Sequence, residues 1–373
     1  MMPFSIIRIW FLGLFGTAIV ATAAYLAWDW YRYDRQDEQL YWAIGLAAIA
    51  LVGRFVYMPI LGLGMGPPPL RPLRTKRLTR PDGTQINVDI LREGSGPVVV
   101  LTHGWSLSSR VWGYVDRELP KDAEIITWDL RGLGHSSKSP TNDYSLEAMA
   151  GDMLEIVRLA LGRPVILVGH SIGGMICLNF CRLFPAELGT TVTGIVLCET
   201  TYINPVKTAM FAPLWQTLQK PLIEPLLHVT IWLSPLVRLM NLQSYLNGST
   251  HLITRITSFA GRQSWGQVEL ASRLSSFASP AVVARGMLAM LRLDESTTLT
   301  KIGIPVVVIA GINDRITRKE AGEHIARQAP HGQLVLLEPA GHLSLLERHE
   351  AVNASLSDLI NLRSEYCKGR ARA

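Results

Sequence analysis

The stretch that most constrains the fold is Gly169-His170-Ser171-Ile172-Gly173-Gly174, taken with its flanks. Before it, Pro164-Val165-Ile166-Leu167-Val168 is short, apolar and β-branched, the pattern of a strand buried on both faces. After it, Met175-Ile176-Cys177-Leu178-Asn179-Phe180 continues with helical spacing. Ser171 therefore stands on a sharp strand-to-helix turn. Gly169 and Gly173 let the two backbones meet there, and the turn holds the serine in a strained conformation. The helix that follows aims free N–H groups at charge developing on a reacting acyl group. Gly-x-Ser-x-Gly alone is a common turn; between a buried strand and a helix it is a nucleophile position.

A serine nucleophile needs a base, and the base needs an orienting carboxylate. The strand pattern Ile304-Pro305-Val306-Val307-Val308-Ile309-Ala310 runs into Gly311-Ile312-Asn313-Asp314. A further one, Gln333-Leu334-Val335-Leu336-Leu337-Glu338, runs into Pro339-Ala340-Gly341-His342. Both side chains lie just past the carboxyl end of a strand, the edge of an open parallel sheet where ligands bind. Asp314 follows Ser171 by 143 residues, room for two strand-helix units and an insertion. His342 follows Asp314 by 28, room for one helix and one strand. His342 is the candidate base and Asp314 the candidate acid. Glu199, ending the strand pattern Gly194-Ile195-Val196-Leu197-Cys198, is the alternative acid.

From about Pro81 to Leu362 these features resemble the α/β-hydrolases. His103-Gly104-Trp105 follows the strand pattern Val98-Val99-Val100-Leu101. Asp129-Leu130-Arg131-Gly132-Leu133-Gly134-His135-Ser136 follows Ile125-Ile126-Thr127-Trp128. Both are similar to pieces of the esterase, haloperoxidase-like and epoxide-hydrolase-like branches. The resemblance implies an α/β fold: a mostly parallel central sheet, helices on both faces and a helical cap insertion. It implies a serine hydrolase of esterase or lipase type that needs no cofactor and no metal. By position, the backbone amides of Trp105 and Ile172 would form the oxyanion hole, where losing one donor typically costs about 2.7–4 kcal/mol. Trp105 and Gly104 would border the substrate. His103 and His170 are expected to hold loops, and the Asp129–Ser136 turn to be scaffold. Relatives that attack with a carboxylate, epoxide hydrolases and dehalogenases, are excluded by Ser171.

The front of the chain is a different kind of object. Phe4–Ala27 and Leu40–Gly64 are apolar runs, each about 30–35 Å long as a helix, enough to cross a bilayer. The connector between them is polar, with Asp29, Asp34, Asp37 and Glu38. Trp28, Trp30, Tyr31, Tyr33, Tyr41 and Trp42 crowd that end as an interfacial belt. Arg71, Arg74, Lys76, Arg77 and Arg80 follow the second run, so the positive-inside rule puts the catalytic domain on the cytoplasmic side of a two-helix membrane protein. A competing reading makes the first run a cleaved signal peptide, with Ala21-Thr22-Ala23-Ala24 as the small-residue stretch and the second run as stop-transfer. Arg54 is costly inside a span, by about 2.5–3.5 kcal/mol on insertion scales. It is expected to snorkel inward, or the span to end near Tyr57.

The expected organisation is a transmembrane hairpin over 1–66, a basic Pro-rich linker over 67–80, a core over 81–200 and 295–362, a cap over 201–294 and a basic tail over 363–373. Hydrophobic residues make up 48% of the 373, and the mean hydropathy is +0.21, high for a soluble enzyme. The net charge of +6 comes in part from residues flanking a membrane segment and from the tail, which suits anionic lipid headgroups rather than nucleic acid. Four cysteines without a histidine at ligand spacing make neither a disulfide framework nor a metal site. The cap is broken by prolines and is greasy from Met210 to Val237; it either packs on the core or lines an acyl pocket and rests on the bilayer. Joined together, these readings predict a membrane-anchored serine hydrolase of a lipophilic acyl ester. The rivals are a small-substrate relative (C–C hydrolase, perhydrolase or acyltransferase) and a non-catalytic relative of the fold.

Overall fold

The computed structural model describes residues 2–34 and 37–370. Its centre is a sheet of eight strands: β1 (Arg74–Thr79), β2 (Gln85–Arg92), β3 (Val98–Thr102), β4 (Glu124–Trp128), β5 (Val165–His170), β6 (Val192–Cys198), β7 (Val306–Gly311) and β8 (Gly332–Leu337). Their order across the sheet is β1-β2-β4-β3-β5-β6-β7-β8. β2 runs antiparallel to β1 and β4; every other pairing is parallel. β3, β4, β5 and β7 are buried from end to end, which is why they read as unbroken apolar runs. Alternate side chains serve opposite faces: Val98 and Val100 join one core, Val99 and Leu101 the other. The sheet begins earlier than the sequence suggested. β1 takes Arg74, Lys76 and Arg77 out of the expected linker and places them on an exposed edge strand. Arg80 is ion-paired with Asp152 at 2.8 Å.

The N-terminal region is a helical hairpin of α1 (Met2–Asp29), α2 (Asp37–Val52) and α3 (Arg54–Leu61). One helix, Ile6–Tyr33, is long and apolar enough to cross a membrane among the described residues. The second apolar run is not the single continuous span expected. It breaks at Gly53, where a side chain would meet the carbonyl oxygen of Asn247 at 2.7 Å. The 16 residues of α2 reach only about 24 Å. Arg54 packs on the cap; its guanidinium carbon lies 4.8 Å from the ring centre of Tyr245. The start of α1 is docked as well. Ile6 is fully buried, and the Trp10 indole N–H donates to Thr230 Oγ1 at 2.9 Å. Further along, Tyr25, Trp28, Tyr31 and Tyr33, with Tyr41 and Trp42, stand exposed.

The core helices are short α4 (Val115–Glu118), α5 (Leu146–Arg158) and α6 (Ile172–Leu183), then α13 (Lys319–Gln328), α14 (Ser344–Glu347) and α15 (His349–Arg370). α5, α6 and α13 pack on one face of the sheet, and α4, α14 and α15 on the other. The expected tail continues as the end of α15 through Arg370, and its last three residues lie outside the described residues. Between β6 and β7 stand the cap helices α7 (Ala212–Leu218), α8 (Glu224–Trp232), α9 (Ser234–Leu246), α10 (Ser249–Ser258), α11 (Trp265–Phe277) and α12 (Pro280–Met290). Pro213, Pro225, Pro235 and Pro280 fall in first turns, where a missing N–H costs nothing. The path bends by 97° between α8 and α9, and a bridge from Ile203 to Asp294 closes the base of the insertion. Ile223, Leu227, Val237 and Met240 face inward, whereas Phe211, Trp232, Leu236 and Leu239 are exposed.

Candidate active site

Ser171 occupies the turn between β5 and α6 with φ of 54° and ψ of −116°, a backbone state that L-residues rarely adopt. The turn is held by the Ser171 N–H donating to the Cys198 carbonyl at 2.9 Å and by Thr200 Oγ1 donating to the Ser171 carbonyl at 2.6 Å. Any side chain at Gly169 would strike the Gly173 backbone at 2.4 Å, which explains the two glycines.

Two further loops deliver His342 and Asp314 to this turn. The Ser171 hydroxyl stands 3.0 Å from His342 Nε2, and His342 Nδ1–H donates to Asp314 Oδ2 at 2.8 Å. All three side chains are buried. Asp314 also accepts from the Ile316 N–H at 2.7 Å, the Thr317 N–H at 3.1 Å and the Thr317 hydroxyl at 2.8 Å. Burial opposes its ionisation, but the His342 ring and these donors outweigh it and hold its pKa below the usual carboxylate value. The aspartate side chain is thus kept as an anion aimed at the imidazole, which fixes the tautomer that leaves Nε2 free to accept from the serine.

Glu199 lies elsewhere. It accepts from the Ser344 hydroxyl at 2.7 Å, and no hydrogen bond joins it to His342 among the described residues. Burial drives its pKa well above the usual range, so it stands as a neutral acid beneath the histidine loop.

Among the described residues, neither the Trp105 nor the Ile172 backbone N–H donates to a protein acceptor. The Trp105 indole donates to the Val283 carbonyl of the cap at 2.9 Å. Gly104 is packed rather than open: a side chain there would lie 2.5 Å from His170 Nδ1. His103 and His170 make loop contacts. His103 Nδ1–H donates to the Gly104 carbonyl at 2.7 Å while Nε2 accepts from the Leu130 N–H at 3.0 Å. His170 Nε2–H donates to the His342 carbonyl at 2.8 Å. Burial, with the nearby His342 ring, lowers the His170 pKa to about 3.

Two supporting residues escape a reading of the sequence. Thr317 has a faint local signal, as an Asp three positions before a Thr is a turn-forming pattern. Glu347 has none: its carboxyl accepts the N–H groups of Gly341, Ala260 (3.0 Å) and Gly261 (2.7 Å), joining the histidine loop to the cap.

Beside this site is a cavity of about 350 Å³. It reaches Trp105–Leu107 of the β3 loop, Arg315 and Ile316 next to Asp314, and Leu343 next to His342. Cap residues such as Met210, Trp215, Val283 and Met287 form further wall. Ile7, Arg8, Ile9, Phe11 and Leu12 of α1 complete it, so the N-terminal helix is part of the lining.

Residues 99–355 match the family described as the alpha/beta hydrolase family. A putative carbamate hydrolase of Pseudomonas savastanoi pv. phaseolicola is 23% identical over 273 residues, covering 73% of this chain and 97% of its own. A pimeloyl-[acyl-carrier protein] methyl ester esterase of Methylococcus capsulatus is 27% identical over 278 residues, covering 72% and 96%. Among solved structures, an esterase from Exiguobacterium antarcticum superposes with a TM-score of 0.62 at 22% identity, covering 77% of this chain and all of that one, a likeness of fold. With more than half its length matched, this chain belongs to the alpha/beta hydrolase family.

Proposed function

We propose that this chain is a membrane-anchored serine hydrolase that cleaves a lipophilic carboxylic ester through an acyl-enzyme. The observation that carries this reading is the relay of Ser171, His342 and Asp314, at 3.0 and 2.8 Å. Ser171 Oγ attacks the ester carbonyl as His342 Nε2 takes its proton. Asp314 stabilises the imidazolium, and the Trp105 and Ile172 amides receive the oxyanion. His342 returns the proton to the leaving alcohol, then activates the water that releases the acid.

The cavity supports a lipophilic acyl group, since its wall is mainly apolar and its size suits a small amphiphile. Membrane anchoring is supported by the exposed aromatic end of the hairpin and by the apolar outer face of the cap beside it. In this reading α1 supplies the membrane anchor, the cap rests on the bilayer, and the catalytic domain lies on the cytoplasmic side with the basic edge strand β1. Names of the relatives suggest a second reading, an esterase that releases a small alcohol, because one is a methyl ester esterase.

The test uses the full chain in detergent. A fluorophosphonate should label Ser171, and p-nitrophenyl esters of increasing chain length should be turned over best at eight carbons or more. Absence of labelling in folded protein defeats the serine mechanism. An optimum at acetyl esters with no turnover of long chains defeats the lipophilic substrate.

A further inference from the structure

Among the described residues, the cavity wall contains two arginines, Arg8 and Arg315, and no carboxylate. Arg315 stands at an exposed position, and its guanidinium donates to the Ile256 carbonyl at 3.3 Å. Arg8 is different. It projects from α1 into an otherwise apolar stretch formed by Ile7, Ile9, Phe11 and Leu12, and it has neither an ion pair nor a hydrogen bond among the described residues. A guanidinium held against apolar surface with no counter-charge is costly, so a folded chain that keeps one there has a use for it when something binds.

Polar groups without partners share the same cavity. Ser244 and Thr254, 3% and 4% exposed, line it, and their hydroxyls make no hydrogen bond among the described residues. Such donors are normally satisfied in protein interiors, and these two are enclosed beside the cavity rather than open to it. A neutral hydrocarbon would leave Arg8 unpaired. An oxyanion would pair Arg8 through its fork of N–H donors.

We propose that the cavity takes an ester that carries an anionic group, phosphate or carboxylate, with Arg8 as its counter-charge. This rests on the proposed esterase function and narrows its substrate class to anionic single-chain amphiphiles. It also gives the N-terminal helix a role in recognition besides anchoring.

The test separates binding from turnover. Full-length Ser171→Ala protein in neutral detergent is titrated with dodecyl phosphate, dodecanoate, a neutral dodecyl glycerol ether and inorganic phosphate. Dodecyl phosphate or dodecanoate should bind at least ten-fold more tightly than the neutral ether, and inorganic phosphate should compete poorly because it lacks the tail. Arg8→Ala should remove that preference and Arg8→Lys should restore part of it, with melting temperature reporting that the fold persists. Equal affinity for anionic and neutral amphiphiles, or a preference that survives Arg8→Ala, overturns the inference. Tight binding of inorganic phosphate alone overturns it too, since it marks a free-anion site. Because these measurements need no catalysis, they stand apart from the labelling and turnover tests of the esterase reading.

Discussion

The hydroxyl oxygen of Ser171 and Nε2 of His342 lie 3.0 Å apart although 171 residues separate them. That distance is within direct proton-transfer reach. Replacing Ser171 with Ala should therefore abolish fluorophosphonate labelling and lower kcat by at least about 10⁴-fold, the scale seen when a nucleophile is removed from such a unit. Labelling that persists in Ser171→Ala places the reactive group elsewhere.

Asp314 and Glu199 make opposite predictions although both are buried carboxyl groups near the histidine loop. Asp314→Asn should cut kcat by about 10⁴-fold, because an amide facing Nδ1 stabilises the wrong tautomer. Glu199 is held neutral by burial and bonded to Ser344, so Glu199→Gln keeps shape and charge and should alter kcat less than ten-fold. Steady-state kinetics of the two variants decide between them, and a reversed order would move the acid to Glu199.

The convergence of the three loops was legible because each side chain ends an apolar strand of one parallel sheet, and strand ends on one edge are neighbours. The fate of the second apolar run was not. Its break at Gly53 comes from Asn247, nearly two hundred residues away, and hydropathy carries no record of that contact. Arg54 shows the same limit: alone it is a charge to be carried to the interface, but beside Tyr245 it becomes a packing contact. Thr317 was within reach of local turn chemistry, whereas Glu347 acts through three backbone amides brought together by the tertiary fold. The edge strand β1 was missed because its charged residues lie on an exposed strand, where no apolar run marks it.

Glu347 should matter to both stability and rate. Hydrogen bonds to such groups contribute about 1.5–3 kcal/mol when charge-assisted, and glutamine cannot accept from three amides as a carboxyl does. Glu347→Gln should lower the melting temperature by several degrees. Well below that temperature it should lower kcat more than it raises KM, since the histidine loop loses its tie to the cap. An unchanged kcat with a lowered melting temperature would reduce Glu347 to a structural strut.

His170 ties stability to pH. Its folded pKa of about 3 lies below the ordinary 6.5, so the unfolded chain takes up a proton that the folded one refuses. The stability it contributes is complete above about pH 6.5 and is lost as pH falls toward 3, at up to about 1.4 kcal/mol per pH unit. His170→Gln keeps a donor for the His342 carbonyl but removes the titration. Melts at pH 7, 6 and 5 should fall less steeply for the variant than for the parent chain; parallel curves would place the acid sensitivity elsewhere.

Docking of the N-terminal helix on the cap depends on Gly13. A Cβ at that position would stand 2.7 Å from the Cβ of Met240 and 2.3 Å from its Cε, so a larger residue forces α1 away from α9. Overpacking of this kind typically costs about 1–3 kcal/mol. Because Ile7 to Leu12 form one wall of the cavity, the displacement should reach the substrate and not only the anchor. Gly45 supplies the control, since nothing lies within 4 Å of a Cβ built there. Gly13→Leu should raise KM for long-chain esters several-fold while acetyl esters, too short to touch that wall, are turned over nearly as before. Gly45→Leu should leave both alone. If the two variants behave alike, the helix is an anchor that merely happens to lie beside the cavity.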